Sequence, residues 1–90
     1  MKNILVTTAK KGVWFCQVDE TMDLTTTTLQ SLKNCRMAIY FGTTKGIHQL
    51  CDTGPTDSSK ISSKADLIVL HEVTAVFSVT DKAAEKWNSL

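Results

Sequence analysis

The 90-residue chain contains one proline, four glycines and six aromatic side chains. Scarcity of proline and glycine excludes collagen-like repeats and low-complexity linkers. Charge of either sign is nearly balanced, at a formal net of +1. A domain without a global positive field is not expected to bind nucleic acid through its phosphates. Cysteine is limited to Cys16, Cys35 and Cys51, an odd number with no CxxC pair. That excludes a paired disulfide scaffold and the common zinc-ribbon spacing, and it predicts three reduced thiols buried as small hydrophobes. Long apolar runs are missing as well. Ile4–Val6 is too short for the core of a leader peptide, and the region from Ala65 to Val79 is broken by Asp66, His71 and Glu72. Neither a cleaved leader nor a membrane-spanning helix is expected, and the protein is expected in the cytoplasm.

What the chain has in excess is β-branched residues, including thirteen threonines. These suit a pleated sheet better than a helix. "NILVTT" (3–8) and "VWFCQVD" (13–19) read as strands joined by "AKKG", where Gly12 is expected to supply a positive φ. In the second strand Val13, Phe15 and Gln17 share one face, and Trp14, Cys16 and Val18 share the other. Apolar residues on both faces predict a central strand. The four successive threonines at 25–28 argue against a helix, so residues 24–31 are read as a strand ending in a turn at "LKN" (32–34). "CRMAIYF" (35–41) and "IHQLCD" (47–52) read as a hairpin around "GTTKG" (42–46). Residues 53–65 read as one long polar loop, followed by a strand pair or one bent strand over 66–79. "TDKAAEKWNSL" predicts a short terminal helix, capped by Thr80 or Asp81 and docked through Ala83, Ala84, Trp87 and Leu90. The expected fold is mainly β: a small antiparallel barrel or roll of six to seven strands with a short C-terminal helix, over one domain, 1–90.

No motif for chemistry passes its own geometric requirements. "GTTKGIHQ" has its lysine before the second glycine and leads into a β-type run, so it is not a P-loop. His48 and Cys51 would point to opposite faces of a strand, which argues against a shared zinc ion. A cysteine and a histidine alone do not make a nucleophilic site in so small a domain. The expected protein is therefore not an enzyme and carries no cofactor or metal. If the strands run up and down in order, the turns holding Lys10, Lys11, Lys33, Lys60 and Lys64 meet at one end. With hydroxyls such as Ser58 and Ser59, that end would be an anion-binding mouth, and the loop 53–65 its most functional part. Trp14, Tyr40 and Trp87 are the candidate anchors for a protein partner. A two-fold homodimer is expected because a chain this short buries little of its own surface.

The short opening strand pair with its "GVWF" second strand, the "LKNCRMAIYF" block, the "GIHQLCDTGP" stretch and the closing "LIVLHEVTAVFSVT" together resemble an uncharacterised family of small bacteriophage proteins. The resemblance implies a small viral protein working in the bacterial host cytoplasm. It further implies host interaction or counter-defence: blocking a host protein, or alternatively sequestering a cyclic-nucleotide signal as a sponge.

Overall fold

The structure is a computed structural model that describes residues 2–9, 12–40, 47–56 and 59–89. Three strands form a meander: β1 (Lys2–Thr8), β2 (Val13–Val18) and β3 (Leu29–Tyr40). After the helix α1 (Ile47–Asp52) come β4 (Lys60–Ile61), β5 (Ala65–Leu70), β6 (Val73–Ser78) and the helix α2 (Asp81–Ser89). All pairings are antiparallel, in the order β4-β3-β2-β1-β6, with β5 also on β3. The fold is the expected mainly β roll with a short C-terminal helix, and its sheet stays open.

The roll comes from a bend in β3. Lys33 of β3 lies opposite Gln17, and Gln17 lies opposite Asn3 at the start of β1. Six residues earlier, the Thr27 carbonyl accepts the Val73 amide at 2.9 Å, and Val73 pairs with Thr8 at the far end of β1. The N-terminal half of β3 therefore crosses back over the sheet, carrying β5 with it. Ser31 and Asn34 absorb the bend with left-handed φ values of 58° and 49°. Asparagine tolerates that region, and an extra residue there is a β-bulge, which sharpens twist. The predicted turn at 32–34 is thus a bulge inside a continuous strand. The predicted strand over 24–31 begins only at Leu29, because Asp23 Oδ1 accepts from Thr25 N at 2.9 Å and from Thr25 Oγ1 at 2.5 Å, locking a side-chain turn. Residues 66–79 do form the expected bent strand pair; the corner is Glu72 at φ 58°, whose carbonyl accepts from Ala9 N at 2.9 Å.

Two apolar layers result. Ile4, Val6, Cys16, Val18, Leu29, Leu32 and Cys35 fill the inside of the roll. Leu5, Phe15, Ala38, Leu50, Ala84 and Trp87 fill the outer face, beneath the helices. β2 is central and buried on both faces, as its double apolar pattern predicts.

The predicted strand over 47–52 is a helix. Its Leu50 and Cys51 sit against Trp87, and its last carbonyls are held from outside: Trp87 Nε1 donates to Leu50 O at 3.0 Å, Thr80 N to Cys51 O at 3.0 Å and Thr80 Oγ1 to Asp52 O at 2.5 Å. Gly54, at φ 91°, ends it, with its amide on Gln49 O at 2.9 Å. Gly12, by contrast, sits where a side chain has no room. A methyl group there would meet Thr8 Oγ1 at 2.7 Å and Trp14 Nε1 at 3.0 Å, so close approach explains it. α2 is capped by Thr80, whose Oγ1 accepts from Ala83 N at 3.1 Å, and it docks through Ala83, Ala84 and Trp87 as expected. The hairpin turn at 42–46, Phe41 and Leu90 lie outside the described residues.

Candidate functional site

Among the described residues, the up-and-down order that would bring Lys33 and Lys60 to one end is not followed. Lys33 lies opposite Gln17, whereas the β1–β2 connection precedes Val13 at the other end of β2. Lys33 Nζ is 3.7 Å from Asp66 Oδ2, an exposed ion pair that contributes little to stability. Lys60 is exposed and pairs with Tyr40 through the β4–β3 ladder, and Lys64 is exposed between β4 and β5. Lys10, Lys11, Ser58 and the Tyr40 side chain lie outside the described residues.

The long loop is not one loop. Ser59 N donates to Thr56 O at 3.0 Å while Thr56 N donates to Ser59 Oγ at 3.1 Å, closing a local turn. β4 then pairs with β3, and Ser62 is fastened on three sides. Its Oγ accepts from Met37 N at 2.7 Å, its amide donates to Met37 O at 2.9 Å, and its carbonyl accepts from Arg36 Nε at 2.9 Å. The hydroxyls of Ser59 and Ser62 are thus engaged in holding the chain.

Of the aromatic anchors, Trp87 is fully buried and stacks on Phe15 at a centroid distance of 5.3 Å. It is a core residue. Trp14 is half-buried on the inner layer beside Gly12. The argument against zinc from strand geometry also falls, since residues 48 and 51 are on a helix, where i and i+3 share a side. The His48 side chain lies outside the described ones, and among the described residues no group of three His, Cys, Asp or Glu side chains could hold a metal.

What the fold does assemble is a groove of about 560 Å³ at the Ile4/Ser78 end of the β1–β6 ladder, where β6 runs into α2. Phe77, Val79 and Leu24 give it apolar walls, and Lys2, Thr25, Ser78 and Asp81 give it a polar rim. Four separate segments supply these residues: the start of β1, the 19–28 connection, β6 and the first turn of α2. No local pattern announces such a site. A polar row lies beside it. Gln17 Nε2 donates to Asn3 Oδ1 at 3.0 Å, and Asn34 Nδ2 donates to Gln17 Oε1 at 2.7 Å. The Asn34 amide then donates to Asp66 Oδ1 at 3.0 Å. Gln17, a polar residue on an otherwise apolar strand, is the one sequence signal of this row.

The acidic 19–28 connection is shaped by its own side chains. Hydrogen bonds from Thr21 and Thr25 hold the Asp19 and Asp23 carboxyls below their usual range. Among the thiols, a hydrogen bond with Cys35 and burial keep Cys16 protonated far above the ordinary thiol range, and burial pushes Cys51 up to about 11. All three thiols are buried and unpaired as disulfides. They are expected to ignore an aromatic disulfide reagent at neutral pH and to react only on unfolding. Folded Cys51 holds its proton to higher pH than the unfolded chain does, so stability is full below about pH 9 and falls as pH rises towards 11. Urea midpoints at pH 7, 9 and 10.5 should decline in that order, and less steeply in Cys51→Ala; an equal slope in the two proteins would contradict the assignment.

Among known proteins, the family described as a domain of unknown function (DUF6948) matches residues 1–87. The chain belongs to that family. No curated protein and no solved structure matches it. The family's description assigns no activity, so the function rests on the geometry. No helix among the described residues is long and apolar enough to cross a membrane.

Proposed function

We propose that the chain is a non-catalytic binding module whose β6 edge takes an extended segment of another protein. The groove at the end of β6, lined by Phe77, Ser78 and Val79, carries the reading. β6 pairs with β1 on one side and, among the described residues, with no strand on the other. An extended segment laid there gains main-chain hydrogen bonds from the edge, while alternate side chains meet Phe77 and Val79. Lys2 and Asp81 offer opposite charges to the same segment and so select its polarity.

The bacteriophage resemblance supplies the context: the bound segment belongs to a host protein of the bacterial cytoplasm, a defence component in particular, and binding blocks it. A second reading, the nucleotide sponge, draws on the same groove, because Lys2, Thr25 and Ser78 could meet phosphate beside Phe77. The protein reading is preferred because, among the described residues, Lys33 and Lys60 lie towards different ends of β3, and Lys33 is engaged by Asp66.

Ser78 is exposed, so Ser78→Arg fills the groove without touching the core. Tagged protein should retain a bacterial partner that the folded Ser78→Arg variant loses. Retention of the same partner by both proteins would sink the groove as the binding site. A rise in melting temperature with cyclic nucleotides, absent in Ser78→Arg, would transfer the groove to the second reading.

A further inference from the structure

Two of the three thiols meet inside the roll. We infer that Cys16 and Cys35 are a redox pair, which hydrogen peroxide closes into a cross-strand disulfide between β2 and β3. The strand register puts them together. Phe15 lies opposite Arg36 and Gln17 opposite Lys33, so Cys16 faces Asn34 and Cys35 across the bulge. Residues facing across an antiparallel ladder stand about 4.5–5.5 Å apart at Cα, within the range of about 4.4–6.8 Å that a disulfide spans. Both side chains lie in the inner apolar layer, and the two thiols are hydrogen-bonded to each other. Cys51 belongs to the layer on the outer face of the sheet, which leaves one pairing open to the folded chain.

The two sulfurs have unequal surroundings. As a thiol, Cys35 Sγ donates to the Lys33 carbonyl at 3.7 Å. As a thiolate it accepts from the Cys16 thiol and from the Leu67 amide, which holds it below the usual thiol range against the cost of burial. Cys16 sits among apolar neighbours and keeps its proton. Cys35 is therefore the attacking sulfur. Its thiolate takes one oxygen of the peroxide, the O–O bond breaks, and the departing hydroxide takes up the proton that Cys35 released. The Cys16 sulfur then attacks the Cys35 sulfenic acid, the S–O bond breaks, and the oxygen departs with the Cys16 proton as water. Two thiols are oxidised to one disulfide while one peroxide is reduced to two waters. Burial shuts out a bulky aromatic reagent, whereas peroxide is hardly larger than water, and the exposed, left-handed Asn34 interrupts the ladder beside Cys35. The closed ring, residues 16–35, holds the 19–28 connection that brings Leu24 and Thr25 to the groove, so oxidation shortens the tether of that wall. The cross-link itself forms whatever the groove binds.

Treating the folded full chain with hydrogen peroxide tests the pair. Thiols counted after denaturation should fall from three to one. The tryptic fragments 12–33 and 34–36, which carry Cys16 and Cys35, should then travel as one species that a reductant splits. The melting temperature should rise by about 10–20 °C, since the cross-link restricts the unfolded chain. Cys51→Ala should form the same link. Cys16→Ala should stop at a Cys35 sulfenic acid that a cyclic diketone labels, and Cys35→Ala should leave Cys16 unlabelled. Three thiols surviving in the treated protein, a link to Cys51, or a lower melting temperature on oxidation overturns the pair. A diketone label on Cys16 in Cys35→Ala, with none on Cys35 in Cys16→Ala, overturns the order of attack.

Discussion

Trp87→Ala should destabilise the protein by about 3–5 kcal/mol, the usual cost of truncating a buried aromatic. Three contributions converge on this side chain. It is fully buried in the layer between the sheet and the helices, and its ring stacks on Phe15 with an interplanar angle of 9°. Its Nε1 donates to the Leu50 carbonyl, so truncation also leaves an acceptor at the end of α1 without its donor. A domain of this size is stable by only about 5–15 kcal/mol, so the variant should be partly unfolded at physiological temperature. Trp87→Phe keeps most of the packing and loses the hydrogen bond, and should fall between the two. Urea unfolding followed by circular dichroism measures both. A loss below about 1 kcal/mol for the alanine variant would show that α2 is not integral to the core.

Arg36 should be the next most sensitive position, and for a different reason. It is the one buried charged side chain among the described residues, 6% exposed on an otherwise apolar face. Its Nε donates to Ser62 O, and its Nη1 donates to Trp87 O near the end of α2. One guanidinium thereby ties β3 to the segment that follows β4 and to the last turn of the C-terminal helix. Arg36→Met preserves much of the volume and removes the donors, leaving two carbonyls to be satisfied by water. A loss of about 2–4 kcal/mol is expected, because each buried acceptor left without a partner costs about 1–3 kcal/mol. Arg36→Lys should recover only part of it, since an ammonium lacks the planar fork that reaches both carbonyls. Equal stability of Met and Lys variants would mean that packing, and not hydrogen bonding, is what Arg36 contributes.

These two residues also mark where local reading stops. Trp87 sits at helical spacing with Ala83 and Ala84, so its docking is legible; as a large aromatic it equally suits an exposed anchor, and only its stack on Phe15 decides between them. Arg36 looks like an ordinary strand cation until the C-terminus of α2 arrives beside it. The same limit governs the candidate sites. The lysines converge only if the turns alternate between two ends, and the bend at Ser31 and Asn34 breaks that alternation. The β6 groove draws on β1, the 19–28 connection, β6 and α2, none of which carries a motif.

By itself the sequence determined the class of the fold. Threonine, valine and isoleucine favour a sheet, and the alternation in "VWFCQV" makes β2 central because side chains on a strand repeat every two residues. It also determined the terminal helix, through the Thr80 cap and the 83-84-87 spacing, and the burial of three thiols, since all of these depend on near neighbours. Tertiary structure decided the rest. Residues 47–52 form too short a segment to choose a state from propensity; Leu50, Cys51 and the carbonyls bonded by Trp87 and Thr80 make them a helix. The bend in β3, the splitting of residues 53–65 and the exposure of Ile68 follow likewise from which strand lies against which. Pairing between distant segments is set by the whole core at once, because no single stretch of this chain buries its apolar face alone.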